Sequence, residues 1–68
     1  MKFIDTDTQA IYKVLKDEGL YRTARLRPDE QNWRFVTLDQ TPWRRTQTEA
    51  EADLLNLAIE RNLKRLED

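Results

Sequence analysis

The sequence predicts an α+β fold with a helix near each end of the chain and a small antiparallel sheet formed by the residues between them. Apolar residues recur at helical spacing near both ends of the chain, whereas residues that favour strands dominate its middle. The 68 residues contain no repeat or linker, so we expect a single domain spanning 1–68. The expected order is αβββα, with two or three strands and both helices on one face of the sheet.

The first helix is predicted at residues 6–18. Thr6 and Gln9 have the spacing of a capping box, and Gly19 suits the left-handed position that ends a helix. The apolar residues that fall on one helical stripe are Ile11, Val14 and Leu15.

The middle of the chain predicts a β-hairpin. Residues 20–27 and 32–38 favour strands, and the segment "PDEQ" between them is a turn signal. A four-residue turn there sets Leu26 opposite Trp33 and Ala24 opposite Phe35, on the face expected to pack under the helices. Residues 42–47 are short enough to form a third, edge strand, with Pro42 tolerated at its start.

The second helix is predicted at residues 48–66. Thr48 and Glu51 have capping-box spacing, and an acidic first turn suits the positive end of the helix dipole. The main apolar stripe, expected to face the sheet, is Ala52, Leu55, Ile59, Leu63 and Leu66. A second stripe lies nearly opposite and is either covered by the amino-terminal part of the chain or forms a self-association seam for a homodimer. That second stripe is Leu54, Leu57 and Ala58.

Charge is distributed unevenly along the chain. Residues 21–45 carry six arginines and three carboxylates, a net charge of +3, whereas residues 46–68 have a net charge of −3. Together with the predicted hairpin register, this places arginines and aromatic side chains on the uncovered sheet face, a combination used both at protein interfaces and in nucleic-acid sites. The alternative is a solvated face paired with nearby acids. The candidate partner-binding residues are Tyr21, Arg25, Arg27, Arg34, Trp43, Arg44 and Arg45.

Two resemblances follow from this order of elements. With its last helix opened by "TQTEAEADLLNLA", the chain resembles double-stranded RNA-binding domains, and "AEADLLNLAIERNL" resembles small phage-encoded helix–sheet–helix proteins. The first family carries a basic cluster where this chain has the segment "TEAE", so phosphates placed there would meet carboxylates. The second resemblance implies no established activity, and is consistent with a host-modulating or anti-defence role.

Composition argues against several classes of function. The chain has no cysteine and no histidine, and its single glycine cannot build a phosphate-binding loop. Its carboxylate pairs are sequence neighbours that do not face one another on a helix. We therefore expect no enzyme activity, no metal and no cofactor. The sequence has neither a spanning apolar segment nor a signal peptide, which predicts a cytoplasmic protein that does not enter membranes.

The sequence leaves three functions open. The first is a small interaction or regulatory protein that docks its arginine-rich sheet face on a larger acidic protein. The second is a nucleic-acid-binding domain that uses the same face, against which stands the net charge of −1. The third is a homodimeric assembly protein that pairs through the stripe of Leu54 and Leu57.

Overall fold

One helix lies against a five-stranded antiparallel sheet in the computed structural model of this protein, which describes residues 1–66. The sheet order is β4-β3-β2-β1-β5, and the helix packs mainly on β2 and β3. The predicted α+β class is confirmed. The predicted αβββα order is wrong, because the described residues form one helix and five strands. In chain order the elements are β1 (Lys2–Ile4), β2 (Ile11–Asp17), β3 (Leu20–Leu26), β4 (Arg34–Phe35), α1 (Gln47–Arg61) and β5 (Lys64–Leu66).

The segment predicted as the first helix is instead the strand β2, preceded by a loop. β2 pairs with β3 over all seven of its residues, from Ile11 with Leu26 to Asp17 with Leu20. Its apolar residues alternate well enough to supply both sides of a sheet, with Tyr12 and Val14 directed to the helix side. The local pattern of apolar residues fits a helix as well as a strand, and the seven-residue pairing with β3 therefore makes this segment a strand.

The β2–β3 connection explains the single glycine of the chain. Glu18 and Gly19 both have positive φ, 50° and 82°, as the two central residues of a type I′ hairpin turn require. Gly19 thus adopts the left-handed conformation that the sequence predicted, but in a hairpin and not at the end of a helix.

Replacing Gly19 by alanine should lower the free energy of unfolding by about 1–2 kcal/mol, since an L-residue resists positive φ. A Cβ atom there meets no heavy atom within 4 Å, so the cost comes from the backbone and not from a clash. Urea unfolding followed by circular dichroism measures it. Gly19→Asn should lose less, because asparagine tolerates this conformation; equal losses for the two variants would contradict the explanation.

A tight loop joins β1 to β2 in place of the predicted capping box. The carboxylate of Asp5 accepts hydrogen bonds from the backbone N–H groups of Asp7 (2.9 Å) and Thr8 (3.4 Å). Gln9 has a φ of 66°, and its side chain donates to the carbonyl of Thr6. The polar residues that suggested a helix start therefore close a turn between antiparallel strands.

The second predicted helix exists but begins and ends earlier than residues 48–66. Thr46 is its N-cap: its hydroxyl accepts from the Glu49 N–H at 3.2 Å, so the capping residues precede the predicted ones by two positions. Asn62 ends the helix with a φ of 56°. The chain then forms β5, which pairs with β1, where the sequence predicted further helix.

The side of α1 that packs on the sheet is the second stripe, which was not the one predicted to face it. Leu54, Leu57 and Ala58 are buried against Phe3 and Tyr12 in the core. They are therefore not accessible for self-association, and their expected role as a seam is corrected to that of core. Of the stripe predicted to pack inward, the members that lie exposed on the outer side of α1 are Ala52, Leu55 and Ile59.

The middle of the chain is only partly regular. The predicted pairing of Ala24 with Phe35 is confirmed, but β4 has just two residues. In place of a third strand at residues 42–47, a single bridge joins Arg44 to Tyr21. The buried Thr41 holds the intervening loop, since its hydroxyl donates to the carbonyl of Val36 at 3.0 Å.

Candidate functional site

The two sides of the sheet differ in what covers them. Cross-strand partners lie on the same side of a sheet, and the helix covers the side that carries Phe3, Tyr12 and Val14. No helix within residues 1–66 covers the other side, which we call the open face. Its side chains include Ile4, Ile11, Lys13, Leu15, Arg22, Ala24, Leu26, Trp33, Phe35 and Trp43.

Three aromatic rings form one part of the open face. The ring centroids of Phe35 and Trp43 are 4.7 Å apart with a tilt of 52°. Trp43 remains 38% exposed, and Trp33 and Phe35 are partly buried. Ala24, between β2 and β4, is fully buried, so the neighbouring side chains cover the sheet there. The rings are therefore held in place before any partner arrives, which lowers the entropic cost of binding.

Two cations lie against these rings. The Lys13 ammonium is 4.6 Å from the centre of the Trp33 ring, and the Arg22 guanidinium carbon is 5.5 Å from that of Trp43. Arg22 also donates from Nε to the carbonyl of Thr41 at 2.6 Å. Within the described residues neither cation forms an ion pair with a carboxylate. Their charges are thus positioned by neutral groups and stay available to an anionic partner.

The remaining charges of this side reinforce its positive character. Lys64 pairs with Ile4 across β5 and β1, which places it on the side of the open face. Asp17 is the carboxylate that the register of β2 and β3 places there, and it lies at the hairpin end of the sheet. The open face is therefore apolar and aromatic with an excess of positive charge.

The arginines that the sequence grouped on the uncovered face are directed elsewhere. Arg25 pairs with Tyr12 and Arg34 pairs with Arg25, so both lie on the helix side of the sheet. The Nε of Arg34 forms an ion pair with Glu30 at 2.9 Å, and the Nε of Arg25 is buried. These arginines do not share a surface with Trp43.

The other predicted site residues are also separated. Tyr21 lies on the helix side, where the Lys16 ammonium is 5.5 Å from its ring centre. Arg27 follows the end of β3 in a loop where its N–H donates to the Glu30 carboxylate at 2.9 Å. Arg45 is exposed just before the helix. Of the seven candidate partner-binding residues, the open face thus includes Trp43.

Arg44 contributes to the fold through Asp53 of α1. Two hydrogen bonds, of 2.8 and 3.0 Å, join its guanidinium to the carboxylate. These bonds, and next the charge of Asp53, raise the pKa of Arg44 above its ordinary value. The contact joins the segment that precedes α1 to the helix itself, so this arginine is engaged within the molecule.

Lys13 and Arg22 are site residues that the sequence did not predict, and Trp33 and Phe35 were predicted as core under the helices. The signal was present in the alternation of "WRF" and of "IYKVL", which sets Trp33 and Phe35 on one side, and likewise Ile11, Lys13 and Leu15. The second of these could be used only once residues 11–17 were recognised as a strand.

The open face is a surface and not a pocket. Residues 1–66 enclose no cavity that could hold a small molecule. Among them, no helix has the length and apolar character that crossing a membrane requires.

Comparison with protein-family models, curated proteins and solved structures finds no match for this chain. The function of this chain is therefore inferred from the geometry and chemistry of the open face.

Proposed function

We propose that this chain is a non-enzymatic protein-binding module that docks its open face on an acidic, partly apolar surface of a protein partner. The observation that supports the proposal is an uncovered sheet face on which three aromatic rings lie beside Lys13 and Arg22, two cations without carboxylate partners in the described residues. Aromatic anchors with adjacent cations are the composition of protein-interface hot spots.

The composition of the open face favours a protein over a nucleic acid. Four aliphatic side chains, which offer nothing to phosphates, occupy much of it: Ile4, Ile11, Leu15 and Leu26. Lys13 and Arg22 each cover one side of a tryptophan ring, where a base would otherwise stack. A partner that offers apolar side chains flanked by carboxylates would satisfy both kinds of group.

Because the chain is small, we propose that it regulates a larger protein. By covering an acidic surface of a larger protein, the module would block or hold that surface without chemistry of its own.

The decisive variant is Lys13→Glu, with Lys16→Glu as its matched control. Both lysines lie on β2 against an aromatic ring, but Lys13 is on the open face and Lys16 is on the helix side. The wild-type chain is used to capture a partner protein from the cells in which this chain is produced. The partner is then identified and purified, and its binding to the wild type and to each variant is measured by titration calorimetry. We expect Lys13→Glu to weaken its binding by about tenfold or more, and Lys16→Glu to leave it near the wild-type value.

Equal affinities for the wild type and Lys13→Glu would overturn the proposal. A second titration uses labelled single-stranded and duplex DNA and RNA at two salt concentrations. Binding that falls steeply with salt and is lost in Lys13→Glu would replace the protein partner by a nucleic acid.

A further inference from the structure

The outer side of α1 carries apolar residues that the fold does not use. Ile59 is 73% exposed and Leu55 is 42% exposed, and both lie on one stripe with Ala52 at helical spacing. The core already takes the opposite stripe of this helix, including Leu54 and Leu57. Leu55 and Ile59 are one helical turn apart, so together they form a small contiguous apolar surface that faces solvent.

Carboxylates border this outer stripe on both sides. At 100° per residue, Glu51 lies along one edge, and Glu49 and Glu60 lie along the other. Glu51 accepts a hydrogen bond from Gln47 and Glu60 accepts one from Gln40. None of the three forms an ion pair with a cation in residues 1–66. The outer stripe is therefore apolar and acidic.

This chemistry is the complement of the open face. The open face offers apolar and aromatic side chains with Lys13 and Arg22, and the outer stripe offers Leu55 and Ile59 between carboxylates. Pairing either surface with its own copy would oppose like charges, lysine and arginine in one case and glutamates in the other. Pairing one surface with the other opposes unlike charges and buries apolar groups on both.

We propose that the partner of the open face is a second copy of this chain, whose outer α1 stripe docks there head to tail. This inference rests on the proposed function, because it assigns an occupant to the same open face. The two surfaces lie on opposite sides of the molecule, since α1 covers the other side of the sheet. A docked pair therefore leaves one open face and one outer stripe free, and further copies add in the same direction.

Two variants, each lacking one surface, test the head-to-tail arrangement. Lys13→Glu removes charge complementarity from the open face, and the double variant Leu55→Lys, Ile59→Lys removes the outer stripe at exposed positions where the fold tolerates polar residues. Sedimentation velocity and light scattering follow the average mass of each purified chain with concentration. We expect the wild type to grow beyond a dimer, and each variant alone to remain a monomer.

Mixing the two variants tests directly whether the open face of one chain binds the outer stripe of another. The Lys13→Glu chain keeps a working outer stripe, and the double variant keeps a working open face. An equimolar mixture should therefore form a 1:1 dimer and nothing larger, because each chain then has just one usable surface. The control Lys16→Glu, altered on the helix side of the same strand, should assemble as the wild type does.

The outcomes separate this inference from the proposed function. A wild-type chain that stays monomeric at millimolar concentration overturns the head-to-tail contact, and so does a mixture that shows no dimer. If a different protein still binds in a manner sensitive to Lys13→Glu, the proposed function stands without it. Assembly of the wild type that neither variant affects also overturns the head-to-tail contact, because neither surface would then have a part in it, whereas the proposed function fails only if its partner binds the wild type and Lys13→Glu equally.

Discussion

Replacing Leu54 by alanine should lower the free energy of unfolding by about 2–5 kcal/mol. Leu54 is 0% exposed and packs in the cluster between α1 and the sheet, together with Leu57 and Tyr12. At about 0.05–0.15 kcal/mol per residue, a domain of this size has a total stability of about 3–10 kcal/mol. The substitution should therefore remove much of the stability, which urea unfolding followed by circular dichroism measures.

Leu55→Ala is the matched control for this prediction. Leu55 is the next residue of the same helix and is 42% exposed, so its truncation should change the stability by about 0.5 kcal/mol or less. Alanine has the higher helix propensity, which limits the loss further. The opposite ranking, with Leu55→Ala the more damaging variant, would mean that the helix packs on the sheet through the stripe of Ala52, Leu55 and Ile59, as the sequence predicted.

The α1 helix shows what this sequence specifies locally. Thr46 and Glu49 open it and Asn62 ends it, all within the helix and its immediate flanks. Because capping depends on near neighbours, the existence of the helix and most of its extent were predictable. The stripe that faces inward was not, because "ADLLNLAI" offers apolar residues on two sides and the sheet decides between them.

The segment Ile11–Asp17 shows what local pattern leaves open. Its apolar residues satisfy helical spacing and strand alternation about equally, and Gly19 suits the end of a helix as well as a hairpin turn. The strand is selected by seven pairs with β3 and by β1 on its other side. The short strands β1 and β5 are far apart in the sequence and pair with each other, so the residues near each strand do not predict it.

The candidate site was misplaced for a related reason. The hairpin register was predicted correctly at Ala24 and Phe35, but register alone does not say which side of a sheet a helix will cover. Because two helices were expected to cover the side of the sheet that carries Trp33, the open face was predicted to be core. With β2 a strand, the single helix covers the side of Phe3 and Tyr12, and the aromatic side stays open.

Two phenylalanines on opposite sides of the same sheet test this assignment together. Phe3 is 5% exposed and packs in the core beneath α1, so Phe3→Ala should lower the free energy of unfolding by about 3–5 kcal/mol. Phe35 is partly buried on the open face beside Trp43, and Phe35→Ala should cost less, about 1 kcal/mol, the centre of the range for point mutants. Chemical unfolding of both variants under one set of conditions gives the comparison.

The same pair separates stability from binding. Phe35→Ala removes a ring from the open face, so we expect it to weaken docking by about tenfold while the domain stays folded. The Phe3 side chain lies on the other side of the sheet, so the folded fraction of Phe3→Ala should bind with wild-type affinity once its population is accounted for. Stability losses in the reverse order would show that the aromatic side is the core. In that case the surface available to a partner is the side of Phe3 and Tyr12, and the docking proposal fails with it.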